Sequence, residues 1–291
     1  MELDFRSAKE LLELCAQNGL PISEVMRQRE CLLGETTRQA VDKRMSKAWE
    51  IMRTSATKPL KDPVRSMGGL IGGEAKKLAT RYEQGSSLCG ALLDHAMTYA
   101  MAVLEVNASM GLIVAAPTAG SAGVVPGMLL ALQEEYHLPD EAILNGLFNA
   151  GAVGYLAMRN ATVAGAVGGC QAEVGIAAAM AASAAVELRG GTPEQCLDAA
   201  STVLMNMLGL VCDPVGGLVE YPCQNRNAAG VANALVAAEI ALGGIRQLIP
   251  FDQMLDAMVA VGRRLPVELR ETALGGCAAT PSACAACGRC G

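Results

Sequence analysis

Aromatic side chains are scarce in this chain, with one Trp, five Tyr and three Phe among 291 residues. Large rings therefore cannot fill its core, and base-stacking platforms for nucleic acid are nearly ruled out. Cationic excess is missing too: 23 Lys and Arg face 29 Asp and Glu, a net charge of -6. No basic stripe exists for a phosphate backbone, so no nucleic-acid partner is expected. Only two His occur, which leaves little for histidine-based catalysis or metal binding. Runs of alternating strand pattern, internal repeats and low-complexity linkers are absent as well, which argues against sheets, solenoids and two separated domains. The opening Met1-Glu2-Leu3-Asp4 is acidic and leads into an amphipathic pattern rather than an apolar signal core. A cytoplasmic location is expected, where eleven cysteines read as reduced thiols or metal ligands rather than a disulfide framework.

What is present is apolar and small. Hydrophobic residues make up 52% of the chain and Gly contributes 32 residues, as suits helices that approach closely. Helical spacing covers residues 7–17 and 22–57. Residues 57–63 read as a connector, and Ser66 to Gly73 as a glycine-dense loop before a helix at Glu74. Further helices are expected over 86–107, from about Pro126, from Asp140, from Pro193 after a Thr192 cap, over 227–245 and over 250–264. No charge lies between Glu105 and Glu134, longer than the roughly 20 residues that span a bilayer. Pro117, Pro126 and several glycines interrupt this stretch, so it reads as two buried helix ends around a loop and no membrane association is expected. The fold class is all-α, a single multi-helix domain over 1–275 with an exposed helical layer at 1–65, Gly-rich loops converging on one site, and a cysteine-rich tail at 276–291.

Three cysteines sit where apolar segments break: Gly169-Cys170-Gln171, Val211-Cys212-Asp213-Pro214 and Tyr221-Pro222-Cys223-Gln224. Glycine and proline turns give a thiolate backbone N–H groups and room for an inorganic core. A free cysteine is also a small buried hydrophobe, so these strings fit ligands or core. A second feature is Ala115-Ala116-Pro117-Thr118-Ala119-Gly120-Ser121-Ala122-Gly123. Such a loop of small residues with two hydroxyls presents donors to a carboxylate or phosphate, although it lacks the Lys and spacing of a P-loop; a tight helix crossing would need the same small residues. The tail carries Cys277, Cys284, Cys287 and Cys290, with two C-x-x-C steps but no second zinc knuckle.

Taken in order, Ala116 to Gly123, Gly169-Cys170-Gln171-Ala172-Glu173, Cys212-Asp213-Pro214-Val215-Gly216-Gly217 and Pro222-Cys223-Gln224-Asn225-Arg226-Asn227 resemble the alpha chain of the iron-sulfur-dependent bacterial L-serine dehydratases. The resemblance runs over nearly the whole chain, including the glycine loop at 68–73. It implies a [4Fe-4S] cluster on Cys170, Cys212 and Cys223, no pyridoxal phosphate, and elimination of water from L-serine to give pyruvate and ammonia, the open iron acting as Lewis acid. Thr118, Gly120 and Ser121 are then assigned to the substrate carboxylate, with Asn107 and Asn227 orienting it. Cys290 is a further metal-ligand candidate that folds back onto the open iron; a frayed chain end is the other reading. Glu173 and Arg226 are read as pairing, touching substrate or structural. His95 is expected on a helix, His137 and the pair Lys76 and Lys77 in solvent, and no general base is assigned. Relatives carry an additional domain or a separate beta chain, and residues 1–65 look helical. A beta partner in an oligomer is therefore expected. Alternatives are an iron-sulfur lyase acting on L-cysteine and a non-catalytic iron-sulfur redox sensor.

Overall fold

The computed structural model describes residues 3–287. Thirteen α-helices follow one another: α1 (Ala8–Asn18), α2 (Ile22–Leu33), α3 (Arg38–Lys61), α4 (Glu74–Glu83), α5 (Gly90–Ala108), α6 (Val124–Tyr136), α7 (Asp140–Asn160), α8 (Gly165–Gly168), α9 (Ile176–Leu188), α10 (Pro193–Met207), α11 (Cys223–Leu242), α12 (Phe251–Arg264) and α13 (Pro281–Cys287). Among the described residues there is no strand, only an isolated parallel bridge between Cys212 and Arg270. The all-α reading holds. Among the described residues, no helix is long and apolar enough to cross a membrane.

The centre is α9, whose Ile176-to-Val186 face is buried all the way round. A helix apolar on every side belongs inside a bundle. Seven of its first ten residues are Ala, which lets α6, α7, α10 and α11 close around it. The buried apolar side chains form one large cluster with a small satellite on α4 and α5.

Several boundaries differ from expectation. The helical pattern at 22–57 is broken, because Gly34 ends α2 and the Thr37 hydroxyl accepts the Ala40 N–H to start α3. Helix α3 runs on to Lys61 through Pro59 instead of giving way to a connector at Thr57. Pro59 lies in the last turn and is buried with Ala56, so apolar contact outweighs one lost N–H bond. Helix α11 starts at Cys223, four residues earlier than Asn227. Helix α5 starts at Gly90 rather than at Ser86, since Ser87 turns its hydroxyl to Asp94. The capping box of Thr192 and Gln195 forms as the sequence suggests.

On α2, Arg27 is buried and bonds Glu24 and Asp42, both at 2.8 Å, and Asn145. It lies over the Phe148 ring at 4.5 Å. Burial pushes the Glu24 carboxyl up, but hydrogen bonds from Arg38, Gln28 and Arg27 outweigh it and hold it down, to about 2. Its ionised form therefore stabilises the fold fully above the ordinary carboxylate pKa of 4.5, and that contribution is lost as pH falls towards 2. Glu24→Gln should lower stability at pH 7 by about 1–2 kcal/mol, seen as a Tm drop of roughly 3–6 °C. The gap should narrow in melts below pH 4.5; a gap constant from pH 7 to pH 3 would show that the charge is not what matters.

Candidate functional site

Cys170 lies between Gly169 and a π-helical turn, Gln171–Gly175, that leads into α9. Gly169 has a φ of 78°, and a Cβ there would sit 2.8 Å from Leu210 O, so the close approach of the two segments requires glycine. Gln171 fastens the turn: its side-chain amide donates to Gly168 O and Met258 O, and its Oε1 accepts the Gly209 N–H. Extra residues inserted as π-turns recur at functional sites. Cys212 is held from both sides of its backbone, its N–H donating to Leu269 O at 2.9 Å and its C=O accepting the Glu271 N–H at 2.6 Å. Cys223 is the first residue of α11, where the helix N-terminus favours a thiolate.

All three thiols are free, and each pair feels the other's charge. Burial, first of all, pushes Cys170 up to about 11 and Cys223 up to about 12, and drives Cys212 higher still. Beyond burial, Cys212 is raised by Cys170, Glu173, Glu271 and Cys223. Three thiolates in such a place ionise together only beside a cation. Arg226 supplies part of that field, lowering Cys170 and Cys223, and is itself fixed by Asp213 at 2.7 Å and Val211 O at 2.9 Å. Arg226 thus pairs with Asp213 and not with Glu173.

The residues fit an iron-sulfur cluster. The donors are soft thiols, and Gly165 leaves space beside Cys212. A Cβ on Gly165 would lie 2.9 Å from Cys212 Sγ and 2.5 Å from Glu173 Oε2. Among the described residues, Glu173, Cys212 and Glu271 bring three ligand atoms within 4.8 Å of one another.

The hydroxyl loop meets this centre through Glu173. Thr118 donates to Glu173 Oε1 at 3.0 Å and lies 3.0 Å from Ser121 Oγ, while the Cys212 thiol reaches Glu173 Oε2 at 3.7 Å. Burial pushes the Glu173 carboxyl up, Glu271 adds to this, and the hydrogen bond from Thr118 opposes it. Gly120 faces the same carboxylate, since a Cβ there would be 3.5 Å from Glu173 Oε1. Asn227 is fully buried and braces the loop: its Oδ1 accepts the Gly123 N–H, and its Nδ2 donates to Gly120 O and Cys223 O. Asn107 ends α5 half-buried, and its side chain has no hydrogen bond among the described residues.

The glycine loop is also clamped. Glu220 is buried and accepts from the Ser66 hydroxyl at 2.7 Å and from the N–H groups of Gly68 and Leu70 at 2.6 and 2.9 Å. The tail returns to the same region, with the Cys277 N–H donating to Asp213 Oδ2 at 2.6 Å and Cys287 packed at Gly216. Cys290 lies outside the described residues. His95 is on α5 against Tyr82 and Glu134, His137 is exposed at the end of α6, and Lys76 and Lys77 are exposed on α4. Glu271, Glu220 and Gly165 carried no sequence signal for a place at or beside the site, whereas Asp213 stood in the Cys212 string without a role assigned to it.

The serine dehydratase alpha chain family model matches residues 17–278. A probable L-serine dehydratase alpha chain of Bacillus subtilis is 49% identical over 96% of this chain and 92% of its own length. The L-serine dehydratase alpha chain of Peptoniphilus asaccharolyticus is 45% identical over 94% and 93%. The L-serine dehydratase of Helicobacter pylori strain 26695 is 37% identical over 95% of this chain but only 62% of its own length. With the family model matched over residues 17–278 and relatives at 45–49% identity across nearly all of its length, the chain belongs to the serine dehydratase alpha chain family.

Proposed function

We propose that this chain is the alpha subunit of an iron-sulfur L-serine dehydratase that converts L-serine to pyruvate and ammonia. The observation that carries the reading is the contact of Glu173 with both Thr118 and Cys212, which makes the hydroxyl loop and the cysteine cluster one site. Cys170, Cys212 and Cys223 would hold a [4Fe-4S] cluster. When bound, that group supplies Lewis acidity that makes hydroxide a better leaving group.

The chain's own residues do the positioning. The Thr118 hydroxyl, which donates to Glu173, and the Ser121 hydroxyl, which then donates to Thr118, are the hydrogen-bond donors a substrate carboxylate would accept. Asn227 fixes the backbone of Gly120 and Gly123, so the loop keeps its shape when serine enters. Loss of the Cα proton and of the β-hydroxyl leaves aminoacrylate, whose imine tautomer reacts with water to give pyruvate and ammonia. The chain works with a beta partner. Relatives of its length are named alpha chains, whereas relatives named L-serine dehydratase with no chain designation extend well beyond it.

Anaerobic reconstitution with iron and sulfide, followed by spectroscopy during L-serine addition, tests the proposal. A saturable, serine-dependent perturbation is expected. Thr118→Val should weaken its apparent affinity about 10- to 100-fold, as expected for losing a hydrogen bond to a charged group. A spectrum indifferent to L-serine with the beta chain present would overturn the reading.

A further inference from the structure

Between the end of α5 and Thr118 the chain runs through residues 111–115 without helix, turn or bend. Among the described residues, no N–H or C=O of Leu112 to Ala115 has a hydrogen-bond partner. Ile113 and Val114 pin the strap to the core. Met110 and Leu112 point outward instead, 79% and 72% exposed. Met67, 76% exposed, joins the same corner because its N–H donates to Ala108 O at 2.9 Å. An extended segment with open backbone groups and an apolar rim is what an incoming strand pairs with. No charged residue occurs between Glu105 and Glu134, so recognition along the strap rests on backbone bonds and apolar contact.

The occupant follows from chain length. Matches to this chain span 62% and 61% of two relatives named L-serine dehydratase with no chain designation, so more than a third of each is polypeptide without a counterpart here, and relatives of this chain's size are named alpha chains. We propose that Leu112–Ala115 is the docking edge for the beta partner, which adds an extended, apolar segment to it and covers Met67, Met110 and Leu112. This inference rests on the alpha–beta reading given above. It also supplies a reason for the division of labour, because the strap ends at Thr118, and fixing one end of it fixes the hydroxyl loop.

Hydrogen–deuterium exchange of the alpha chain, alone and in the complex with its cognate beta chain isolated by size exclusion, tests the edge. The amides of Leu112–Ala115 should exchange at least about tenfold more slowly in the complex. Met110→Glu with Leu112→Glu should weaken the complex by about 10- to 100-fold and leave the melting curve of the alpha chain in place, since both side chains lie in solvent. A complex that forms with unchanged exchange at 112–115 would overturn the docking edge and leave the two-subunit reading standing. Failure of the wild-type chains to associate would remove both. Protection that appears in the alpha chain alone and grows with its concentration would assign the strap to a second copy of this chain and overturn the proposal.

Discussion

Replacing Cys212 with serine is expected to leave a folded protein that assembles no stable cluster and turns over L-serine more than about 100-fold more slowly. Changes to residues that merely orient a metal ligand already cost about 10- to 100-fold, so loss of a ligand should cost more. Serine is nearly the same size as cysteine, but its hydroxyl does not ionise to a soft donor. The neighbouring chain offers no relief. Cys212 is tied by its own N–H to Leu269 and by its C=O to Glu271, so the backbone cannot swing another donor into its place. Glu173 and Glu271 lie close enough to hold a single ion with residue 212, yet carboxylates favour hard cations. Iron and sulfide content after anaerobic reconstitution, read beside circular dichroism, separates ligand loss from unfolding. Cys89→Ser provides the control, because Cys89 is exposed. Retention of full iron and sulfide by Cys212→Ser would sink the assignment.

The cysteine strings were legible because each ligand candidate stands at a glycine or proline break, and a break between apolar segments can be seen without knowing how the segments pack. Their partners were not. Glu271 reaches Cys212 through an isolated bridge between segments far apart in sequence, and nothing near Glu271 announces it. Glu220 closes on a glycine loop some 150 residues away, a contact between segments remote in sequence that local pattern does not announce. Arg226 was open to pairing with Glu173, but Asp213, next to Cys212, lies within 2.7 Å of it. The all-α class was carried by composition and spacing. The missed boundaries came from tertiary burial, as at Pro59, and from a helix whose first residue is Cys223, where Pro222 sets the start more firmly than the periodicity that begins near Asn227.

Gly123→Ala is expected to destabilise the protein by about 3 kcal/mol, a Tm loss of roughly 6–12 °C, although alanine is the better helix former. Gly123 has a φ of -82°, so the backbone itself would accept a side chain. The obstacle is the neighbour. A Cβ on Gly123 would run into Ala100 O and come within 2.9 Å of the Ala100 carbonyl carbon. One turn later, a Cβ on Gly127 would lie 2.7 Å from Ala96 O. The two glycines therefore form a stripe on α6 that lets α5 approach backbone to backbone, and a clash with backbone cannot be relieved by a change of rotamer. Intrinsic propensity favours Ala over Gly by about 1 kcal/mol, so the sign of the measured change decides which effect wins. Gly151→Ala on α7 gives the opposite case. Nothing lies within 4 Å of its Cβ position, and this substitution should be neutral or stabilising by up to about 1 kcal/mol. The damage at Gly123 should also reach function: its N–H donates to Asn227 Oδ1 at 3.1 Å, the same side chain that holds Gly120. Thermal melts of the two variants, with L-serine affinity of the folded fraction, check both parts. A Gly123→Ala protein that melts at or above the parent temperature would show that α5 and α6 do not meet at this stripe.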